Sequence, residues 1–242
     1  MINAVFFDLD GTIRHNLPSG GEVFADYAGQ LGVHVRLDDR LRAARWEHFY
    51  WANSFQLLED RQKYDGDLKG FWDAYSRRQL VALGASPAQA AELAPQVNRY
   101  MMESYKPESV VPEDARRVLP LLAGYGCRMA VISNRAKPFQ DEIEALGLAP
   151  YFAFSLAGGE VNAFKPGPEI FLHACKRLNV KPDDAAYVGD NYFADVVGAR
   201  RADLTPVLYD PRGIFDEPGC VSIRSFDELP SVLGLTVRET QH

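Results

Sequence analysis

The chain has 242 residues, 47% of them apolar and 12% aromatic, enough to bury a substantial core as one large domain or two modest ones. A net charge of −7 and the lack of any long basic run argue against a nucleic-acid groove or an anionic membrane surface. Three scattered cysteines, Cys127, Cys175 and Cys220, without metal-ligand spacing, point to a reducing, cytoplasmic compartment.

The N-terminus lacks the basic and apolar regions of a signal peptide, and no uncharged span is long enough to cross a membrane. The five histidines, His15, His34, His48, His173 and His242, stand singly. Each reads as a surface or packing residue rather than a ligand.

Ala4 to Phe7 is a short apolar run with the pattern of a strand buried on both faces of a parallel sheet. It ends in Asp8 and Asp10, two positions apart and so on the same side, roughly 6.5–7 Å from each other. Gly11 can break the strand there and present both acids at its carboxyl end, where open parallel sheets bind ligands. Paired carboxylates on an apolar strand need positive charge between or beside them: a cation, a lysine or a shared proton. An EF-hand loop is excluded, since its fifth and twelfth positions hold Thr12 and Ser19.

Ile13 to Gly21 carries turn chemistry and reads as a linker. Helical periods follow near 22–32, 37–55, 67–83 and 87–104. Trp46, Phe49, Tyr50, Trp51, Phe55, Phe71, Trp72 and Tyr75 fall at spacings that suit the core of a small helical bundle. Lys106 to Pro112 is a second break, so a helical domain is expected to be inserted into another one.

From Glu113 helix and strand alternate, the sign of a parallel sheet with crossover helices. Strands are expected at 128–132, 151–156, 185–188, 205–209 and 220–223. Helices are expected at 113–125, 138–146, 168–178, 193–202 and 226–233, and a frayed tail from Thr236. Ser133-Asn134 ends one strand before a helix and offers a hydroxyl, an amide and backbone N–H groups to an anion. Gly189-Asp190 ends another, with Asp195 about one helical turn on, and such hard oxygen ligands suit Mg²⁺. Lys165 would be a surface lysine by itself, but four carboxylates need a cation nearby.

Together, Asp8-Leu-Asp10-Gly-Thr12, Ser133-Asn134, Lys165-Pro166 and Gly189-Asp190 through Asp195 resemble, in order and spacing, the four motifs of the haloacid dehalogenase superfamily of phosphohydrolases. The resemblance spans the chain. It implies an α/β fold: a Rossmann-like, three-layer parallel-sheet core (1–14 and 108–242) with an inserted all-helical cap domain (15–107). It also implies a Mg²⁺-dependent phosphomonoester hydrolase acting on a small phosphorylated metabolite through an aspartyl-phosphate.

Asp8 would be the nucleophile, and Asp10 the acid and then the base, kept partly protonated by neighbouring acids. Mg²⁺ would be held by Asp8, Asp10 through its backbone carbonyl, Asp190 and Asp195; Ser133, Asn134 and Lys165 would hold the phosphate. Arg14, His15 and Arg135, beside the first two motifs, are placed where a second anionic group of a substrate could reach. Dehalogenases of the superfamily are expected to lack an acid at the position of Asp10, so its presence favours phosphate chemistry. A phosphotransferase or mutase of the same fold is the alternative; a non-catalytic regulatory protein on this scaffold is a third reading. Oligomeric state is not legible.

Overall fold

β1 (Ala4–Phe7) is buried along its whole length, which is what a continuous apolar run requires of its surroundings. In the computed structural model, which describes residues 2–235, β1 pairs on one side with β4 (Arg128–Ser133) and on the other with β6 (Ala185–Gly189), both parallel. β5 (Ser155–Ala157), β7 (Thr205–Tyr209) and β8 (Val221–Ile223) complete a six-stranded parallel sheet in the order β5-β4-β1-β6-β7-β8.

Alternate side chains separate cleanly between the two faces, as the period of a strand demands. Val5, Phe7, Met129, Val131, Ala186 and Val188 pack with Val118, Leu119 and Leu122 of helix Glu113–Gly124. On the opposite face Ala4, Phe6, Ala130, Ile132 and Tyr187 pack with Ile170, Phe171 and Ala174 of helix Glu169–Leu178. The result is the three-layer α/β architecture. The chain moves outward from β1 through β4 and β5, then returns to the other side of β1 with β6. The carboxyl ends of β1 and β6 therefore flank the point where strand order reverses, the usual ligand crevice of such sheets.

The chain divides into two compact units, residues 1–15 with 110–242, and residues 16–109. The second contains helices Gly20–Gln30, Leu37–Trp51, Phe55–Lys63, Leu68–Ala82 and Pro87–Ser104. Tyr50 and Tyr75 are buried there, with Trp46, Trp51, Phe71 and Trp72 packed around them, whereas Phe55 is largely exposed. Its burial also takes in Asp60, which is paired with Arg78 and accepts from the Tyr50 hydroxyl.

Helix Phe55–Lys63 lies where the sequence suggested a connection; Asn53 adopts a positive φ that ends the preceding helix, and the Ser54 hydroxyl caps the new one by accepting from Leu57 N–H. His15–Leu17 and Glu108–Val110, read as linker and break, pair with each other as β2 and β3. The strand expected over 151–156 is confined to Ser155–Ala157. Gly158–Val161 follows it directly as a short helix. The expected frayed tail from Thr236, with His242, lies outside the described residues. Among the described residues no helix is long and apolar enough to cross a membrane.

Candidate active site

Asp8 and Asp190 leave the ends of adjacent parallel strands, β1 and β6, so the backbone ladder alone brings them together. Asp195 returns to them because the chain turns into a helical segment directly after Asn191. The Asn191 side chain caps that turn, accepting from Phe193 and Ala194 N–H at 3.1 and 3.0 Å. Asn191 N–H donates to Asp195 Oδ2 at 2.9 Å. One oxygen from each of Asp8, Asp190 and Asp195 lies within 4.8 Å of the others.

Two glycines make room for this crowding. A Cβ on Gly11, which has φ +87°, would sit 2.8 Å from Asp190 Cγ, and one on Gly189 would sit 2.7 Å from Asp195 Cβ. Either contact would force a carboxylate to move.

Lys165 is buried among these acids. Its Nζ donates to Asp8 Oδ1 at 2.6 Å, Asp195 Oδ1 at 2.7 Å and the Tyr187 hydroxyl at 2.9 Å. Tyr187 in turn donates to the Ile132 carbonyl at 3.1 Å. Burial opposes the charge on Lys165, but Asp195 and Asp8 outweigh it and hold its pKa well above the ordinary lysine value. Burial pushes the Asp8 carboxyl well up, against the pull of Lys165. Burial, then Asp195, pushes Asp190 up to about 7. With all groups ionised, three carboxylates (−3) and one ammonium (+1) leave −2. An all-oxygen donor set carrying that charge fits a hard divalent cation such as Mg²⁺.

Asn134 presents both ends of its amide to the Lys165 peptide: Nδ2 donates to Lys165 O at 2.8 Å and Oδ1 accepts from Lys165 N–H at 2.7 Å. Its side chain therefore holds the lysine segment in place, a different task from the anion contact that sequence suggests. Ser133 ends β4, buried, and its hydroxyl makes no hydrogen bond among the described residues.

Asp10 stands apart from the three-carboxylate group. Its partners are arginines rather than acids: Arg135 Nε and Nη2 donate to its two oxygens at 2.9 and 2.8 Å, and Arg14 Nη1 to Oδ1 at 2.9 Å. The crowding of Asp10 by neighbouring acids that the sequence suggests is thus replaced by ion pairing. A tight turn explains it, because Arg14 N–H returns to the Leu9 carbonyl at 2.9 Å and brings the Arg14 side chain back beside Asp10. His15 does not join Arg14 and Arg135. Its Nε2 lies 2.8 Å from the Thr12 carbonyl, its ring meets Tyr209 edge-on, and burial lowers its pKa, which favours the neutral ring.

Four contributors escaped the sequence reading. Thr12 donates to Asp190 Oδ1 at 3.1 Å and accepts from Asp190 N–H at 3.0 Å, locking the first acidic loop to the second. Tyr187, Asn191 and Glu142 complete the set. Tyr187 left one signal, a polar tip inside an otherwise apolar strand; Glu142 left none, being one acid among several in an exposed helix turn.

A family model described as haloacid dehalogenase-like hydrolase matches residues 2–203. A phosphoserine phosphatase of Thermus thermophilus is 32% identical over 234 residues, covering 88% of this chain and 90% of the relative. A glyceraldehyde 3-phosphate phosphatase of Methanopyrus kandleri is 29% identical over 212 residues, covering 86% and 83%. The crystal structure of a 2-haloacid dehalogenase from Pseudomonas syringae pv. Tomato superposes with a TM-score of 0.54 at 26% identity, covering 97% of this chain and 99% of that one.

Proposed function

The chain belongs to the haloacid dehalogenase-like hydrolase family and is a phosphatase, and on that premise we propose that it hydrolyses a small phosphorylated metabolite with Asp8 as nucleophile and Mg²⁺ as cofactor. The observation that carries this reading is the convergence of Asp8, Asp190 and Asp195 within 4.8 Å around a lysine that is itself bonded to Asp8. Nothing in the packing of a sheet requires three acids at one strand edge, and burying them costs free energy unless their charge is used.

Asp8, Asp190 and Asp195 would hold the metal, which would supply positive charge to offset the repulsion between the Asp8 carboxylate and a phosphate dianion. In the first step an Asp8 oxygen forms a bond to phosphorus while the ester P–O bond breaks. Asp10 gives its proton to the departing alkoxide. In the second, Asp10 takes a proton from water, the water oxygen bonds to phosphorus, and the Asp8–phosphorus bond breaks to release inorganic phosphate. Lys165 keeps Asp8 in place and offsets its charge throughout. The Ser133 hydroxyl and backbone N–H groups after β4 suit the phosphoryl oxygens, with Asn134 fixing the loop that carries Lys165. The helical unit, residues 16–109, is proposed as a cap that selects the substrate. An acid at position 10 favours phosphate over carbon–halogen chemistry, since displacing halide calls for no proton on the leaving group.

Asp8→Asn tests this directly. It should lower turnover of p-nitrophenyl phosphate in Mg²⁺ at least about a thousandfold with an unchanged circular dichroism spectrum, because the nucleophile is lost at nearly constant volume. Wild-type turnover in that variant would end the assignment. One inorganic phosphate per alcohol released separates hydrolysis from transfer to a second substrate.

A further inference from the structure

The arginines beside Asp10 form a fork that another carboxylate can occupy. Arg135 meets the two Asp10 oxygens with Nε and Nη2 at 2.9 and 2.8 Å, the two-point geometry a guanidinium makes with any carboxylate. From behind, Glu142 accepts from Arg135 Nη1 and pairs with Arg14 Nε at 3.2 Å, while the Phe139 ring centroid lies 5.4 Å from the Arg135 guanidinium carbon. Glu142 and Phe139 therefore keep the fork oriented whichever carboxylate stands in front of it. Asp10, its present occupant, is also the most exposed member of the group, with 42% of its side chain accessible against 19–31% for Arg14, Arg135 and Glu142.

Distance sets what can replace Asp10. As the proton donor, Asp10 must come within about 2.6–3.2 Å of the leaving oxygen. The Arg135 nitrogens lie one further hydrogen bond away, so the guanidinium is roughly 5–6 Å from that oxygen. A substrate carboxylate spans that gap only if it is carried two or three bonds from the ester oxygen.

We propose that the substrate is a phosphomonoester bearing a carboxylate two or three bonds from its ester oxygen, and that this carboxylate takes the Arg135–Arg14 fork from Asp10, freeing Asp10 for the leaving oxygen. The inference rests on the assignment of Asp10 above. The exchange on the fork is neutral in charge, one carboxylate replacing another on the same guanidiniums, and Asp10, once released, takes from solvent the proton that it gives to the leaving oxygen. A substrate without the carboxylate cannot drive it, so Asp10 stays paired and the alkoxide departs unassisted.

Two substrate pairs that differ by this carboxylate test it: phosphoglycolate against ethyl phosphate, and phosphoserine against phosphoethanolamine, in Mg²⁺. A charge-assisted bidentate contact predicts a preference in kcat/KM of roughly tenfold to a hundredfold for the carboxylated member of each pair. R135K keeps the charge and loses the fork, and should bring that preference below about threefold, raising KM and lowering kcat for the carboxylated esters together. Wild-type preferences below threefold in both pairs, a measurement independent of how any variant folds, would overturn the inference and leave the phosphatase reading standing; so would an R135K enzyme with the wild-type preference. Failure to hydrolyse any phosphomonoester would remove both.

Discussion

Lys165→Met removes the ammonium that the buried acids share and leaves a side chain of similar length. Its hydrogen bonds go at once, at 2.6 Å to Asp8, 2.7 Å to Asp195, 2.9 Å to Tyr187 and a longer one at 3.5 Å to the Ile132 carbonyl, from a side chain only 3% exposed. Solvent cannot take over those contacts at that depth. Removing one partner of a buried ion pair costs about 3–5 kcal/mol, which for a chain of this size corresponds to a fall in Tm of roughly 6–20 °C.

The deficit should be fully present at pH 7.5 in chelator. Lys165 has a raised pKa, so its contribution holds throughout the range below the ordinary lysine value and would be lost only in strong alkali. On the acid side Asp8, whose carboxyl pKa is also raised, takes up a proton and needs the ammonium less, so the gap between variant and wild type should narrow, not widen, as pH falls from 7.5 towards 5. Thermal denaturation followed by circular dichroism at the two pH values reads both effects. Turnover of p-nitrophenyl phosphate in Mg²⁺ should fall at least about a hundredfold. A variant that melts with the wild type at pH 7.5 in chelator would refute the account of Lys165 as the counter-charge of this site.

Metal binding should be linked to protons. Asp190 is pushed from its ordinary 3.8 to about 7, so between those values the folded, metal-free protein holds a proton that the unfolded chain has released, and its stability falls as pH rises through that window. Mg²⁺ must expel this proton, so affinity should weaken about tenfold per pH unit below pH 7. Calorimetric titration at pH 6 in buffers of different ionisation enthalpy should give different heats; equal heats would contradict the prediction. Thr12→Val preserves shape but removes both Thr12–Asp190 hydrogen bonds, and should weaken Mg²⁺ binding roughly tenfold to a hundredfold with little change in far-ultraviolet dichroism. Unaltered Mg²⁺ affinity in that variant would show that Asp190 orients itself without Thr12.

At the Arg135 fork, neighbours change what a residue does. Arg14 and Arg135 look, by position, like free cations waiting for a ligand, and the folded chain pairs both with Asp10 and Glu142. Asn134 looks like an anion contact and instead grips the Lys165 peptide 31 residues away. His15, equally close in sequence, turns to the Thr12 carbonyl. Side-chain direction in a loop depends on contacts that are distant along the chain, and no local pattern encodes it.

What the amino-acid order determined by itself was whatever depends on period and adjacency. Apolar runs such as Ala4–Phe7 and Ala185–Val188 identify strands buried on both faces, and acids directly after them must lie at strand ends, because alternation and chain connectivity admit no other place. Tertiary structure alone decided which of those ends meet. The ladder between β1 and β6 sets Asp8 beside Asp190, and a contact across 157 residues gives Lys165 to Asp8. It also decided that Thr12, Tyr187 and Glu142 belong to the site. Each is an unremarkable residue in its own stretch, and acquires a role only through hydrogen bonds whose partners are supplied by other parts of the fold.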